Sequence, residues 1–292
     1  MAKRLQKTVG AVLALALILG ASHEASAQAD PQNYLFNSGQ TIQPFFEGWA
    51  HNPDGSFEMH FGYLNRNYVE ELHIPAGPGN RFESGGADQG QPTFFYPRVN
   101  HRVFSVTVPA DFGDQELIWT VSVRDEAHQA IGWLQAEWEI DPVPARFLGE
   151  GQTANQAPTL VVDAASAIGL ANPLTMMATV TDDGLPEPRR RRGGAPVVLP
   201  TFEPVGPSLP INVPQIQSEN RHRPTRTRVR EVNLIWTQWR GPTGVTLELQ
   251  GEPVDDSATV TATFQSPGEY VFRVQASDGP STVTQLVSVT VR

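Results

Sequence analysis

Apolar and polar residues alternate with a period of two along most of this chain, and the 3.6-residue repeat of an amphipathic helix is nowhere sustained. Leu117, Trp119, Val121 and Val123 interleave with Ile118, Thr120 and Ser122, so one face of that strand is solidly apolar and the other mixed. In the first half the pattern predicts strands at 45–51, 56–65, 68–74, 101–108, 116–124 and 129–139, with a Gly-rich loop over 75–92. In the second half it predicts seven strands, at 159–163, 174–181, 232–239, 245–249, 257–264, 268–277 and 282–291. The expected fold is all-β: an antiparallel β-sandwich or small barrel over 28–142, and an Ig-like β-sandwich over 158–292. A Pro, Gly and Ala-rich stretch over 143–157 reads as the linker between them, with few contacts expected across it.

One turn fixes a register. Asn52-Pro53-Asp54-Gly55 combines a proline preset for the first turn position with a glycine free to take the left-handed one. A bulged three-residue loop then pairs Asn52 with Ser56 and Trp49 with Met59, which turns the indole toward the side of Phe57, Met59 and Phe61. A slip of one residue would put it outside, and turn chemistry favours a buried Trp49.

Composition narrows the setting. The 292 residues include 25 Gly, 25 Pro and no Cys, which excludes a disulfide scaffold, a thiolate zinc site and a cysteine nucleophile. Residues 1–27 carry a basic start (Lys3, Arg4, Lys7), a twelve-residue apolar run and the small residues Ala25-Ser26-Ala27. That is the pattern of a secretory signal peptide cut after Ala27, and the run is too short to span a bilayer. The mature protein is therefore expected to be secreted or periplasmic, with no transmembrane segment after cleavage.

Cleavage takes the formal charge from −10 to −12 and leaves no lysine. Half of the 18 remaining arginines fall in 185–230, a Pro/Arg-rich insertion in the second domain that includes Arg189 to Arg192. Elsewhere the chain is strongly acidic, which argues against nucleic acid as a partner and leaves the insertion as the surface for an anionic envelope polymer. A solvated loop is the plainer account of the same stretch.

The second half resembles the PKD-type and related cadherin-like Ig-fold domains of bacterial secreted proteins. The resemblance rests on Asn155-Gln156-Ala157-Pro158, on Ala178 to Gly184, on Trp236 to Pro242 and on the run Ala262 to Gly279. It implies an extracellular spacer or binding module, without catalysis, with Trp236, Tyr270, Phe272 and Val274 filling the sandwich. It also places Asn155, Asp182, Asp183 and Asp278 at one pole, as hard oxygen ligands suited to Ca²⁺. The plainer account of the same residues is turn chemistry, since Asp-Gly pairs are ordinary turn formers and Asn and Asp cap turns through side-chain hydrogen bonds. The first half resembles only uncharacterised secreted domains.

Two further groups are candidates. The loop Tyr63-Leu64-Asn65-Arg66-Asn67-Tyr68 concentrates two phenols, two amides and a guanidinium, a donor set suited to a polyol or carboxylate, with Tyr63, Asn65, Arg66, Asn67 and Tyr68 as candidate ligand residues; the alternative is a turn whose Asn side chains satisfy their own backbone. No motif of a serine hydrolase, zinc protease or nucleotide-binding protein is present. The expectation is thus a non-enzymatic binding or spacer protein of the envelope, with a glycan or protein partner. The alternative is a hydrolase using Glu47, Glu58 and His60 as acid and base.

Overall fold

The computed structural model describes residues 36–140, 155–185, 224–279 and 281–292. The expected signal peptide over 1–27, all but the last residues of the expected linker and most of the expected insertion (186–223) lie outside the described residues. The fold is all-β, as the alternation predicts, and Phe36–Arg292 form one compact unit.

The first β-assembly contains β1 (Ile42–His51), β2 (Phe57–Asn65), β3 (Leu72–His73), β4 (Asn80–Phe82), β5 (Phe94–Phe95), β6 (Arg98–Val108), β7 (Leu117–Val123) and β8 (Glu126–Gly132). Two antiparallel three-stranded sheets, in the orders β1-β2-β6 and β4-β7-β8, are accompanied by the separate short pair β3-β5, and β1 also packs along β7 and β8. Between them lies an aromatic core: Trp119 and Phe61 are fully buried, and Phe104 meets Trp119 edge-on at 4.9 Å. The expected strand at 68–74 shrinks to two residues, and the Gly-rich loop contains β4, whose three residues are too few to show a period.

The first hairpin takes the bulged turn. Asn52 N donates to Ser56 O at 2.9 Å, Gly55 sits at φ +88°, and Trp49 pairs with Met59. Its indole is buried, as turn chemistry requires, and Nε1 donates to the Gln135 carbonyl at 2.8 Å. Two bulges disturb the same sheet. Glu47 is an extra residue in β1, between the pairs Phe46–Phe61 and Gly48–His60. In β6, His101, Arg102 and Val103 stand opposite the single residue Gly62. Bulges of this kind re-aim side chains. A Cβ on Gly62 would lie 2.5 Å from the Phe45 ring and 2.7 Å from the Asn100 carbonyl, so only glycine fits there.

The second β-assembly is an Ig-like sandwich of β9 (Thr159–Ala164), β10 (Ala167–Ile168), β11 (Leu174–Thr181), β12 (Thr225–Val229), β13 (Val232–Arg240), β14 (Val245–Leu249), β15 (Ser257–Phe264), β16 (Gly268–Ser277) and β17 (Thr282–Val291). Its sheets run β10-β17-β16-β13-β12 and β14-β15-β11-β9. Trp236, Tyr270, Phe272 and Val274 are all fully buried between them. The Tyr270 hydroxyl donates to the Ser266 carbonyl at 2.7 Å, tying the start of β16 to the preceding corner as tyrosine corners do in such sandwiches. Thr225–Val229, the end of the expected insertion, is strand β12 paired with β13. Its Thr-Arg-Thr-Arg-Val sequence shows too few apolar residues to announce an edge strand.

The halves are not the loosely tethered pair expected from the linker. Trp239, on β13 of the second assembly, is 5% exposed and belongs to the hydrophobic core of the first, with Phe104 at 6.4 Å. Trp236 and Trp239 are three residues apart on one strand and so point to opposite faces. A bulge after Gln238 accompanies the switch from one core to the other.

Candidate functional site

The seam between the two assemblies is built from polar groups of both. Tyr96 OH accepts a hydrogen bond from Gln238 N at 2.8 Å, Thr93 N donates to the Trp239 carbonyl at 3.1 Å, and Gly241 N donates to Thr93 Oγ1 at 3.2 Å. Arg240 grips Asp88 through two hydrogen bonds of 2.8 and 2.7 Å, and this pairing holds the Asp88 carboxyl below its ordinary range.

Beside these contacts the seam opens into a cleft of about 350 Å³. Tyr63, Tyr96 and residues 99–103 of the first assembly form one wall, and Arg226, Ile235, Thr237, Arg273 and Gln275 of the second form the other. The outward face of β13 and β16 thus supplies side chains to a site, where strand alternation alone would leave it to solvent. Arg273 is the most enclosed charge. Its guanidinium stacks over the Trp239 ring at 4.1 Å, and Nη1 donates to the Val103 carbonyl. Burial pulls its pKa down to about 10, which still leaves it cationic at neutral pH. The same enclosure pushes the Tyr63 and Tyr96 phenols up, so both stay protonated.

The loop 63–68 contributes to this site from behind. Tyr63, Asn65 and Asn67 are buried, and their polar atoms are engaged within the protein. Tyr63 OH accepts from Tyr96 N at 2.8 Å; Asn65 Nδ2 donates to the Glu70 and Phe95 carbonyls; Asn67 Nδ2 donates to the Gln40 carbonyl and to Asn65 Oδ1. These residues position the chain and offer nothing to solvent. Only Arg66 and Tyr68 are exposed, and the Arg98 guanidinium covers the Tyr68 ring at 4.1 Å.

At the sandwich pole the chain entering β9 meets two of the predicted carboxylates, those of Asp278 and Asp183. Asn155 Nδ2 donates to Asp278 Oδ2 at 2.9 Å, and Gln156 N donates to Asp183 Oδ2 at 3.0 Å. The carboxylates cap turns, however: Asp182 accepts from Gly184 N, Asp183 from Leu185 N and Asp278 from Ser281 N. Among the described residues no three acidic or imidazole side chains are placed to share a metal ion.

Glu47, Glu58 and His60 share the β1-β2-β6 sheet, where both carboxylates lie near enough to act on the His60 imidazole but hydrogen-bond to other partners. Glu47 accepts from His101 Nδ1 at 2.6 Å and from Arg102 N, while Glu58 accepts from Ser105 Oγ. Burial lowers the pKa of His60, opposed by the nearby Glu58 and Glu47. None of the three lines the cleft.

Neither a protein-family model nor a curated protein matches the sequence. Among solved structures the chain is similar to domains 4 and 5 of the S-layer protein SbsC, at 13% identity and TM-score 0.23, covering 87% of this chain and 98% of that one. It is also similar to the D00-D0 domain of intimin (9% identity, TM-score 0.25, covering 85% and 99%) and to a chimeric titin Z1Z2 (11%, 0.25, covering 87% and 99%). Scores at this level leave the fold to the sheets described above.

Proposed function

We propose that this chain is an exported, non-catalytic binding and spacer protein whose two β-assemblies act as one body and meet their ligand in the seam between them. The observation that carries the proposal is the cleft, lined by both assemblies and containing the enclosed Arg273. Clefts between domains are a common location for binding sites, because two rigid walls fix the polar groups that recognise a ligand. The leader over 1–27 supports export to the periplasm or beyond. No helix among the described residues is long and apolar enough to cross a membrane. The resemblance of the second half to PKD-type domains supports the spacer role.

The hydrolase alternative is not favoured, since its two carboxylates hydrogen-bond to His101, Arg102 and Ser105 rather than to His60, and none of the three lines the cleft. Co-sedimentation of the full mature chain with insoluble envelope polysaccharide tests both readings. Saturable binding without release of soluble fragments is the expected result. An absence of binding would refute the proposal, and so would fragment release that disappears in Glu58→Gln.

A further inference from the structure

Among the described residues, Arg273 is an enclosed cation that meets no carboxylate. Its Nε is buried, and neither Nε nor Nη2 makes a hydrogen bond to a described residue. No carboxylate among the described residues pairs with it; the ionisable groups acting on it are the protonated phenols of Tyr63 and Tyr96. Burying a charge in this way is costly unless an opposite charge arrives.

Its surroundings point the same way. Arg102 and Arg226, both exposed, line the cleft on opposite walls, and among the described residues no Asp or Glu lines it, the carboxylate that acts on its tyrosines being Glu71. That is unexpected in a chain of net charge −10 with acidic residues in excess. Arg102 reaches its place through the β6 bulge and holds a left-handed backbone at φ +46°, four residues after Arg98 at φ +69°. Non-glycine residues persist in that region only where the surrounding structure imposes it, and such sites cluster around ligands. Sequence reasoning placed anion contact in the 185–230 insertion and the 63–68 loop, whereas Arg102 and Arg273 lie outside both.

The chemistry of the occupant follows from these groups. A guanidinium is a planar cationic donor that complements a planar carboxylate, and Arg273 Nη2, which makes no hydrogen bond to a described residue, is its donor at the cleft wall. Main-chain N–H groups of a helix N-terminus, the usual cradle for phosphate, are missing, because no α-helix occurs among the described residues. The remaining wall is mixed: Thr237, Asn100 and Gln275 carry hydroxyl and amide groups, and Val99 and Ile235 are apolar, as a sugar ring with polar edges and an apolar face requires.

We propose that the cleft binds the carboxylate of an acidic saccharide of the uronate class, with Arg273 receiving the carboxylate and Arg102 and Arg226 holding it from the two walls. This rests on the binding function proposed above. The probe is an oligogalacturonate of three units, titrated calorimetrically into the full mature chain beside its neutral galactose counterpart, inorganic phosphate and an acidic peptide. The expected result is binding of the oligogalacturonate alone, weakened by added salt. Arg273→Gln should weaken it at least about tenfold, and Arg102→Gln and Arg226→Gln should each weaken it by about three- to tenfold. The last two side chains are exposed, so their variants fold and keep the test decisive even if Arg273→Gln does not.

Equal binding of the neutral sugar, tighter binding of phosphate or peptide, or unchanged affinity in Arg102→Gln and Arg226→Gln would each overturn the assignment. If the Arg102→Gln/Arg226→Gln double variant still co-sediments fully with envelope polysaccharide, the cleft assignment falls and the general binding function stands. A wild-type chain that does not co-sediment removes both.

Discussion

Truncating Trp239 to alanine separates a shared core from a tethered pair of domains. The indole is 5% exposed, packs within the core that holds Phe61, Phe104 and Trp119, and carries the Arg273 guanidinium on its face. Removing a buried tryptophan costs about 3–5 kcal/mol in lost transfer energy and residual cavity, and losing the stacked cation adds roughly 0.5–2 kcal/mol. Had the assemblies been independent, Trp239 would lie on a surface, where substitutions change stability by about 0.5 kcal/mol or less. Urea unfolding of Trp239→Ala followed by far-UV circular dichroism should therefore show a loss of at least about 3 kcal/mol. Amide exchange should accelerate both in β7 of the first assembly and in β16 of the second. Trp138→Ala, at a residue 41% exposed, is the control and should cost far less. A Trp239→Ala loss below about 1 kcal/mol, or faster exchange confined to the second assembly, would refute the shared core.

Three further outcomes follow from the same geometry. Gly62→Ala should destabilise the chain by about 1–3 kcal/mol in urea titration, because the Asn100 carbonyl facing the new methyl belongs to the backbone; an unchanged midpoint would contradict the packing at the β6 bulge. Burial holds the His60 imidazole below its ordinary 6.5, opposed by Glu58 and Glu47 and assisted by Arg102. The unfolded chain therefore binds the proton first, so this contribution to stability is complete above about pH 6.5 and is lost as the pH falls below it toward the folded pKa. His60→Gln should flatten the slope of melting temperature against pH between about 6.5 and 5, and an identical slope would show that His60 is not its source. Asp278→Ala removes the acceptor for Asn155 Nδ2 and Ser281 N and should cost about 1–3 kcal/mol equally in calcium and in chelator; a calcium-dependent difference would show that the pole ligates the ion rather than capping its turns.

The sandwich was largely legible in the sequence because its strands are long and regularly alternating: β11 and β14 to β17 begin and end where the pattern changes. The Trp49 register was legible for a different reason, since one proline and one glycine leave the turn a single comfortable geometry. Legibility failed where strands are short or polar, as in β4 and β12, which exist because a neighbour offers an edge. It failed again at the loop 63–68, whose amides look like ligand donors in isolation. Only the fold shows that Asn65 and Asn67 are needed to satisfy the Gln40, Glu70 and Phe95 carbonyls. The cleft was hidden for a topological reason, because Arg102 is separated from Arg226 and Arg273 by more than a hundred residues. One signal was nevertheless available: Trp236 and Trp239 cannot face the same core, so the second indole calls for a partner surface outside the sandwich.

Whether the two assemblies are one body is tested most directly by differential scanning calorimetry of the full mature chain. The shared core, the Tyr96–Gln238 and Thr93–Trp239 hydrogen bonds and the Arg240–Asp88 pair together predict a single transition whose calorimetric and van't Hoff enthalpies agree. Two resolved transitions, or a calorimetric enthalpy well above the van't Hoff value, would show that the assemblies unfold separately and that the cleft between them is not a fixed site.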